Sequence, residues 1–358
     1  MTYYLKGWII LKMILIFGLM NSTFTACHQI KNFPEYDEAT KMCERIYVAD
    51  GPEDFVLDQW NNPPRLLISS HERRKPETFG GIYSLSLTTH ATQKLQRTGE
   101  NNRFKAYKPH GMDIRHVGQQ TYLYVILHDP YHHNQRIENA IAVYEVFEND
   151  LLLIDVLENS TCLWSPNDVS VLPDGQIYVT NDYRSSFDLL FKRAVSEIVH
   201  YQPKTKAWQV VAKNMCYANG ILAQSDHVFV STTLGNELLK FKRQLDGRLE
   251  NKQTIARIKG LDNIMPYQGR LLITAHLSNW AFLKHYKSKD SISPTAVYLV
   301  NPNLTNDPST STLIYRNDGT DISAASTAII HNQFLYIAQV FDPFLLKYSY
   351  MPIGINGK

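Results

Sequence analysis

Four cysteines in 358 residues, none in a C-x-x-C or zinc-type spacing, leave the chain no thiol metal site of the zinc-finger kind. There is no G-x-S-x-G, and no serine stands at a sharp strand-to-helix turn, which excludes a serine-hydrolase elbow. An excess of either charge is missing as well. With Lys6 and Lys12 set aside in the N-terminal segment, 34 basic residues face 34 acidic ones. A nucleic-acid binder needs a basic face to neutralise phosphates, so nucleic acid is not an expected partner. The apolar run Met13–Met20 falls short of the roughly 20 residues that a membrane helix requires.

What is present suits a large folded domain. Hydrophobic residues make up 44% and charged residues 20%, and 21 tyrosines with 15 phenylalanines favour strands. The length admits one large all-β domain or two smaller ones.

The N-terminus reads as a targeting segment. Lys6 and Lys12 precede the apolar run, and residues 1–26 carry no acid. Phe24-Thr25-Ala26-Cys27 has the form of a bacterial lipoprotein signal with Cys27 as the lipidated residue. A plain cleaved signal and a retained anchor are the alternatives. Each predicts an exported protein, either membrane-anchored in the cell envelope or secreted. Residues 1–27 are then a leader and 28–358 one folded domain. Cys162 and Cys216 are candidates for a disulfide.

A repeat runs through the rest. A polar residue or pair heads an apolar strand, which turns into a second apolar strand. The heads stand at 53, 110, 167, 219, 262 and 326. They are Glu53-Asp54, His110, Asn167-Asp168, Asn219, Asp262-Asn263 and Ser326-Thr327. Further strand candidates lie between, such as Gly81–Ser86, Ser196–Tyr201 and Thr295–Val300. This spacing predicts an all-β, six-bladed β-propeller with four-stranded blades. One helix is expected, over Ser185–Val195, either packed over a blade or facing a membrane or the channel mouth.

In a propeller the innermost strands line a central channel, so their heads converge on one axis. Glu53, Asn167, Asn219, Asp262 and Asn263 bring two carboxylates and three amides together. Hard oxygen donors of this kind suit Ca²⁺, which takes about 6–8 oxygens. Asp54 and Asp168, one residue further, alternate to the other side and predict a second Ca²⁺ inside the channel. Taken singly, each position reads as turn or capping chemistry. Five together do not.

The segments GPED (51–54), KPHGM (108–112), YLYVILHDP (122–130), PNDVSVLPDGQIYVTND (166–182), YANGI (217–221), LDNI (261–264) and STAIIHNQFLYIAQVF (326–341) resemble, in order and spacing, the paraoxonase/arylesterase family. The resemblance implies a calcium-dependent hydrolase of esters and lactones with two ions in its tunnel. It places the catalytic calcium on Glu53, Asn167, Asn219, Asp262 and Asn263. The structural calcium falls to Asp54, Asp168 and the Met112 carbonyl. A catalytic histidine pair falls on His110 and His128, and a channel-mouth histidine on His276.

Two departures stand out. The family closes its ring with a disulfide from an early cysteine, here Cys43, but no cysteine follows Cys216. Closure then rests on strand pairing by the N-terminal segment. Tyr183 stands where the family has a histidine, which bears on the substrate pocket. The competing expectations are a gluconolactonase-type propeller with one ion, and a non-catalytic calcium-stabilised scaffold at a membrane. A membrane surface is an expected partner through the N-terminus and helix 185–195.

Overall fold

The computed structural model describes residues 43–350, apart from 76, 102, 105, 129–130, 133–134, 137–138 and 305–309. The expected targeting segment and Cys27 lie outside the described residues.

Six antiparallel sheets make a six-bladed β-propeller. Blade one runs Pro52–Asp58, Arg65–Ser70, Gly81–Ser86 and Thr92–Lys94. Blade two runs Pro109–Val117, Gln120–His128, Asn139–Val146 and Asp150–Leu157, and gains Gln96–Thr98 as a parallel outer strand. Blades three, four and five open on Pro166–Val171, Ala218–Ala223 and Leu261–Tyr267. Blade six opens on Ala325–His331 and continues through Phe334–Gln339 and Phe344–Ser349. Its outer strand is Cys43–Tyr47, which pairs antiparallel with the last strand from Cys43 opposite Tyr348 to Tyr47 opposite Phe344. The chain's start thus completes the blade that its end began. The six inner strands neighbour one another in a closed cycle around the axis.

The core follows from this geometry. It is divided among the seams between adjacent blades. Tyr124, Ile126 and Ile141 of blade two meet Val169, Ile177 and Val179 of blade three. Leu272 and Val297 of blade five meet Ala328, Leu335 and Ile337 of blade six. The second strands are buried over most of their length, and Arg65–Ser70 and Ile177–Asn181 throughout, because blades cover both their faces. Full burial of each such aliphatic contributes roughly 1.5–3 kcal/mol.

Three expectations are corrected. The helix over Ser185–Val195 spans only Ser186–Leu190. Its Asp188 is buried, accepts the backbone N–H and hydroxyl of Ser185, and pairs with Arg193 at 3.3 Å. Anchoring that polar face turns Phe187 and Phe191 outward, where they stack on each other and stay exposed. A second helix, Asn279–Lys287, was not anticipated; Ser278 caps it by accepting Ala281 N–H at 3.2 Å. Cys162 and Cys216 are both free thiols and do not pair. Among the described residues, no helix is long and apolar enough to cross a membrane.

Candidate metal centre and histidine pair

Every inner strand carries the same irregularity. Pairing with the second strand shifts register between Pro52 and Asp54, Pro109 and Met112, Pro166 and Val169, Ala218 and Ile221, Leu261 and Ile264, and Ala325 and Ala328. The predicted strand heads fall inside these six bulges. A bulge suspends strict alternation and re-aims side chains, so neighbouring residues can serve two levels of one channel. Glycine makes the approach possible. A Cβ on Gly111 would lie 2.5 Å from the Asn167 carbonyl oxygen, and one on Gly220 would lie 2.6 Å from Asn263 Cα.

At the upper level, Glu53, Asn167, Asn219, Asp262 and Asn263 are all buried. Each amide is oriented through its nitrogen. Asn167 Nδ2 donates to Asp182 Oδ2 at 3.3 Å, Asn219 Nδ2 to Thr233 Oγ1 at 3.0 Å, and Asn263 Nδ2 to Thr327 Oγ1 at 2.8 Å. The three Oδ1 atoms are buried with no hydrogen-bond partner. A buried unpaired amide oxygen costs about 1–3 kcal/mol, and three beside two carboxylates fit a hard cation. Among the described residues, no three or more His, Cys, Asp or Glu side chains gather as a metal site. The donors here are amide oxygens first.

The electrostatics agree with that fit. Burial raises the Asp262 carboxyl despite His276, whose Nε2 lies 2.7 Å from Asp262 Oδ2. Burial also pushes Glu53 upward, but His110 and Arg73 more than offset it and bring it down to about 2. Arg73 Nη2 lies 3.3 Å from Glu53 Oε2 and His110 Nε2 lies 3.5 Å from it. His110 Nδ1 is 2.7 Å from His128 Nε2, so the two expected histidines do form a pair.

Below, a cavity of about 280 Å³ is lined by Asp54, Asp168, Asp113, Met112 and Asn263 among apolar side chains. Glu53, Asn167 and Asp262 are not in this lining, so Glu53-Asp54 and Asn167-Asp168 each divide between the two levels, while Asn263 borders both. Asp54 accepts Phe55 N–H, Met112 N–H and the Thr327 hydroxyl. Asp168 accepts Val169 N–H and Ile221 N–H. Burial holds both carboxyls well above the usual range, with Glu53 adding to it at Asp54, and Asp54 at Asp168. Each carboxylate still has acceptor capacity for a cation.

The chain belongs to the arylesterase family. The arylesterase family model matches residues 70–347. Human serum paraoxonase/lactonase 3 is 26% identical over 279 residues, covering 74% of this chain and 76% of that one. Bovine serum paraoxonase/arylesterase 2 is 24% identical over 280 residues, with the same coverage. Among solved structures, a gluconolactonase from Xanthomonas campestris superposes with a TM-score of 0.56 at 16% identity, over 87% of this chain and 90% of that one. The calcium-binding protein regucalcin from Agrobacterium tumefaciens gives 0.51 at 10% identity, over 85% and 96%. These two likenesses speak for the fold.

Within this arylesterase-family chain, His276 and Tyr183, the two residues expected near the substrate, also have definite places. His276 is buried and packs on Phe282, with ring centroids 4.5 Å apart. Tyr183 stacks on Tyr217 at 5.6 Å. Sequence reasoning missed Arg73, Asn139, Asp182 and Thr233, and named Thr327 as a strand head without its bond to Asn263. Asp182 closes the quoted segment PNDVSVLPDGQIYVTND and was within reach. Arg73 lies in a loop with no periodic signal.

Proposed function

We propose that this chain hydrolyses carboxylic esters and lactones at the channel mouth. The observation that carries this reading is the set of three buried, partnerless amide oxygens beside Glu53 and Asp262, with a histidine pair at its edge. Glu53, Asn167, Asn219, Asp262 and Asn263 would hold a calcium ion. When bound, calcium supplies electrophilic assistance to a carbonyl oxygen and to the charge that develops on it. Asp54, Asp168 and the Met112 carbonyl would hold a second ion, which acts on the fold. Family membership supports ester and lactone chemistry.

The chain's own residues handle the protons. His110 Nε2 takes a proton from the attacking water, and the oxygen bonds to the acyl carbon. The pair then returns that proton to the leaving alkoxide as the acyl–oxygen bond breaks. His128, 2.7 Å away, shares the positive charge meanwhile. Asp182 and Thr233 keep Asn167 and Asn219 from rotating. Tyr183 and Tyr217 provide an aromatic wall. The exposed Phe187 and Phe191 extend the proposal to a membrane surface beside the site, and the N-terminal segment to export of the protein.

The test is turnover of phenyl acetate, γ- and δ-lactones and a sugar lactone, with and without chelator. Calcium-dependent turnover of aryl esters and alkyl lactones is expected. Activity that persists after complete calcium removal would overturn the metal assignment. Folded, calcium-loaded protein that turns over none of these substrates would leave a scaffold in place of an enzyme.

A further inference from the structure

Asn139 begins the third strand of blade two and stands directly opposite His128 in the ladder. It is buried, at 8% exposure. Its Nδ2 donates to the Leu163 carbonyl at 3.0 Å, and its Oδ1 lies 2.8 Å from His128 Nδ1. We infer that Asn139 is a positioning residue that holds the hydrogen of His128 on Nδ1 and so presents His128 Nε2 to His110 as an acceptor. The inference deepens the proposed hydrolysis and rests on His110 serving as its base.

The argument is one of donors and acceptors. A main-chain carbonyl only accepts, so the Asn139 NH₂ group must face Leu163. The amide oxygen therefore faces His128, and an amide oxygen also only accepts. His128 Nδ1 must then carry hydrogen. In neutral His128 the other nitrogen, Nε2, is a bare acceptor. His110 Nδ1 lies 2.7 Å from it and must donate. In a neutral His110 that leaves Nε2 as the bare nitrogen. This is the atom that faces the candidate metal centre, 3.5 Å from Glu53 Oε2.

The reverse tautomer would disable the pair. Were His128 to carry its hydrogen on Nε2, it would donate to His110 Nδ1. His110 would then hold its hydrogen on Nε2 and could not take one from water. Asn139 excludes that state because Oδ1 would face a bare Nδ1. A carboxylate in this position would also stabilise the imidazolium, as the aspartate of a serine-protease triad does. A neutral amide orients the rings without adding that charge.

The test reads the tautomer directly, by ¹⁵N-edited NMR of the histidine side chains in the calcium-loaded full chain. In the wild type, His128 should show hydrogen on Nδ1. Asn139→Ala should shift His128 toward hydrogen on Nε2 and lower kcat by about 10–100-fold with KM little changed. Asn139→Asp, which keeps an acceptor at the same place, should recover the Nδ1–H form and most of the rate. A wild-type His128 with hydrogen on Nε2 would overturn the inference without any variant. So would an unchanged tautomer and rate in folded Asn139→Ala. His110→Gln separates the two claims. If that variant keeps the full rate, His110 is not the base and the hydrolytic role of the pair fails, whatever the His128 tautomer.

Discussion

Asp54 Oδ2 accepts the main-chain N–H of Met112 at 2.7 Å, and so ties the inner strand of blade one to that of blade two. The same bond recurs twice. Asp113 Oδ2 takes Val171 N–H at 2.7 Å, and Asp168 Oδ2 takes Ile221 N–H at 2.8 Å. Three successive seams thus carry a carboxylate strap, buried at Asp54 and Asp168 and half-buried at Asp113.

Asp113 allows the strap to be tested apart from the proposed ligands. Asp113→Ala would leave Val171 N–H without its acceptor and Ser170 Oγ without its 3.3 Å contact. A loss of about 1–3 kcal/mol is expected. Chemical denaturation in saturating calcium should show it. An unaltered unfolding midpoint would mean that the seam holds without the strap.

Asn167→Ala removes one oriented amide oxygen and frees its partner Asp182. Esterase and lactonase turnover should fall by about 10–100-fold or more, because the proposed calcium would lose one of its oxygen ligands. Calcium affinity, read by calorimetry, should fall with it. Retention of both would take Asn167 out of the centre.

Ring closure can be locked covalently. Cys43 and Tyr348 are directly opposed in the closing ladder, which sets their Cα atoms about 4.5–5.5 Å apart. That separation lies within disulfide range. Tyr348→Cys should therefore cross-link under oxidising conditions and raise Tm relative to the reduced variant. Part of the gain is lost with the Tyr348 ring, which packs on Tyr315 at 5.3 Å. A thiol count that shows no cross-link would place the two strands in a different register.

Acid should weaken the fold through His200, which lies away from the channel. Its ring is buried and its Nε2 meets Gln176 Oε1 at 2.8 Å. Burial, with Arg243 nearby, brings its pKa down to about 4, against about 6.5 in an unfolded chain. Between those values the unfolded state binds more protons. Stability present above pH ~6.5 is therefore lost as pH falls through about 4. Tm measured from neutral pH downward in calcium should decline over this window, and less steeply in His200→Gln. Parallel curves would show that His200 contributes nothing to the decline.

The six blades and most of the proposed ligand set were legible because both live on single strands. A polar residue before an apolar run keeps its place in the sequence whatever surrounds it. Glu53, Asn167, Asn219, Asp262 and Asn263 could be gathered from that pattern alone. The residues that orient them could not. Asp182 and Thr233 lie just past the ends of second strands, Thr327 is itself a strand head but meets Asn263 only across a seam, and Asn139 reaches His128 only across a ladder. The helix over Ser185–Val195 was over-extended because its apolar spacing looked like a buried face. The buried anchor at Asp188 turned that face to solvent.

Strand periodicity and the repeated polar heads by themselves determined a six-fold all-β architecture and the kind of donors at its axis. They did so because side-chain alternation and turn chemistry act over a few residues. Tertiary structure alone decided which oxygens stay unpaired, which side chains orient the histidine pair, and how Cys43–Tyr47 closes the ring. Those outcomes depend on atoms within about 3 Å that lie far apart in the sequence, most of them on neighbouring strands of one blade and one pair across a seam, and only the folded sheets bring them into reach.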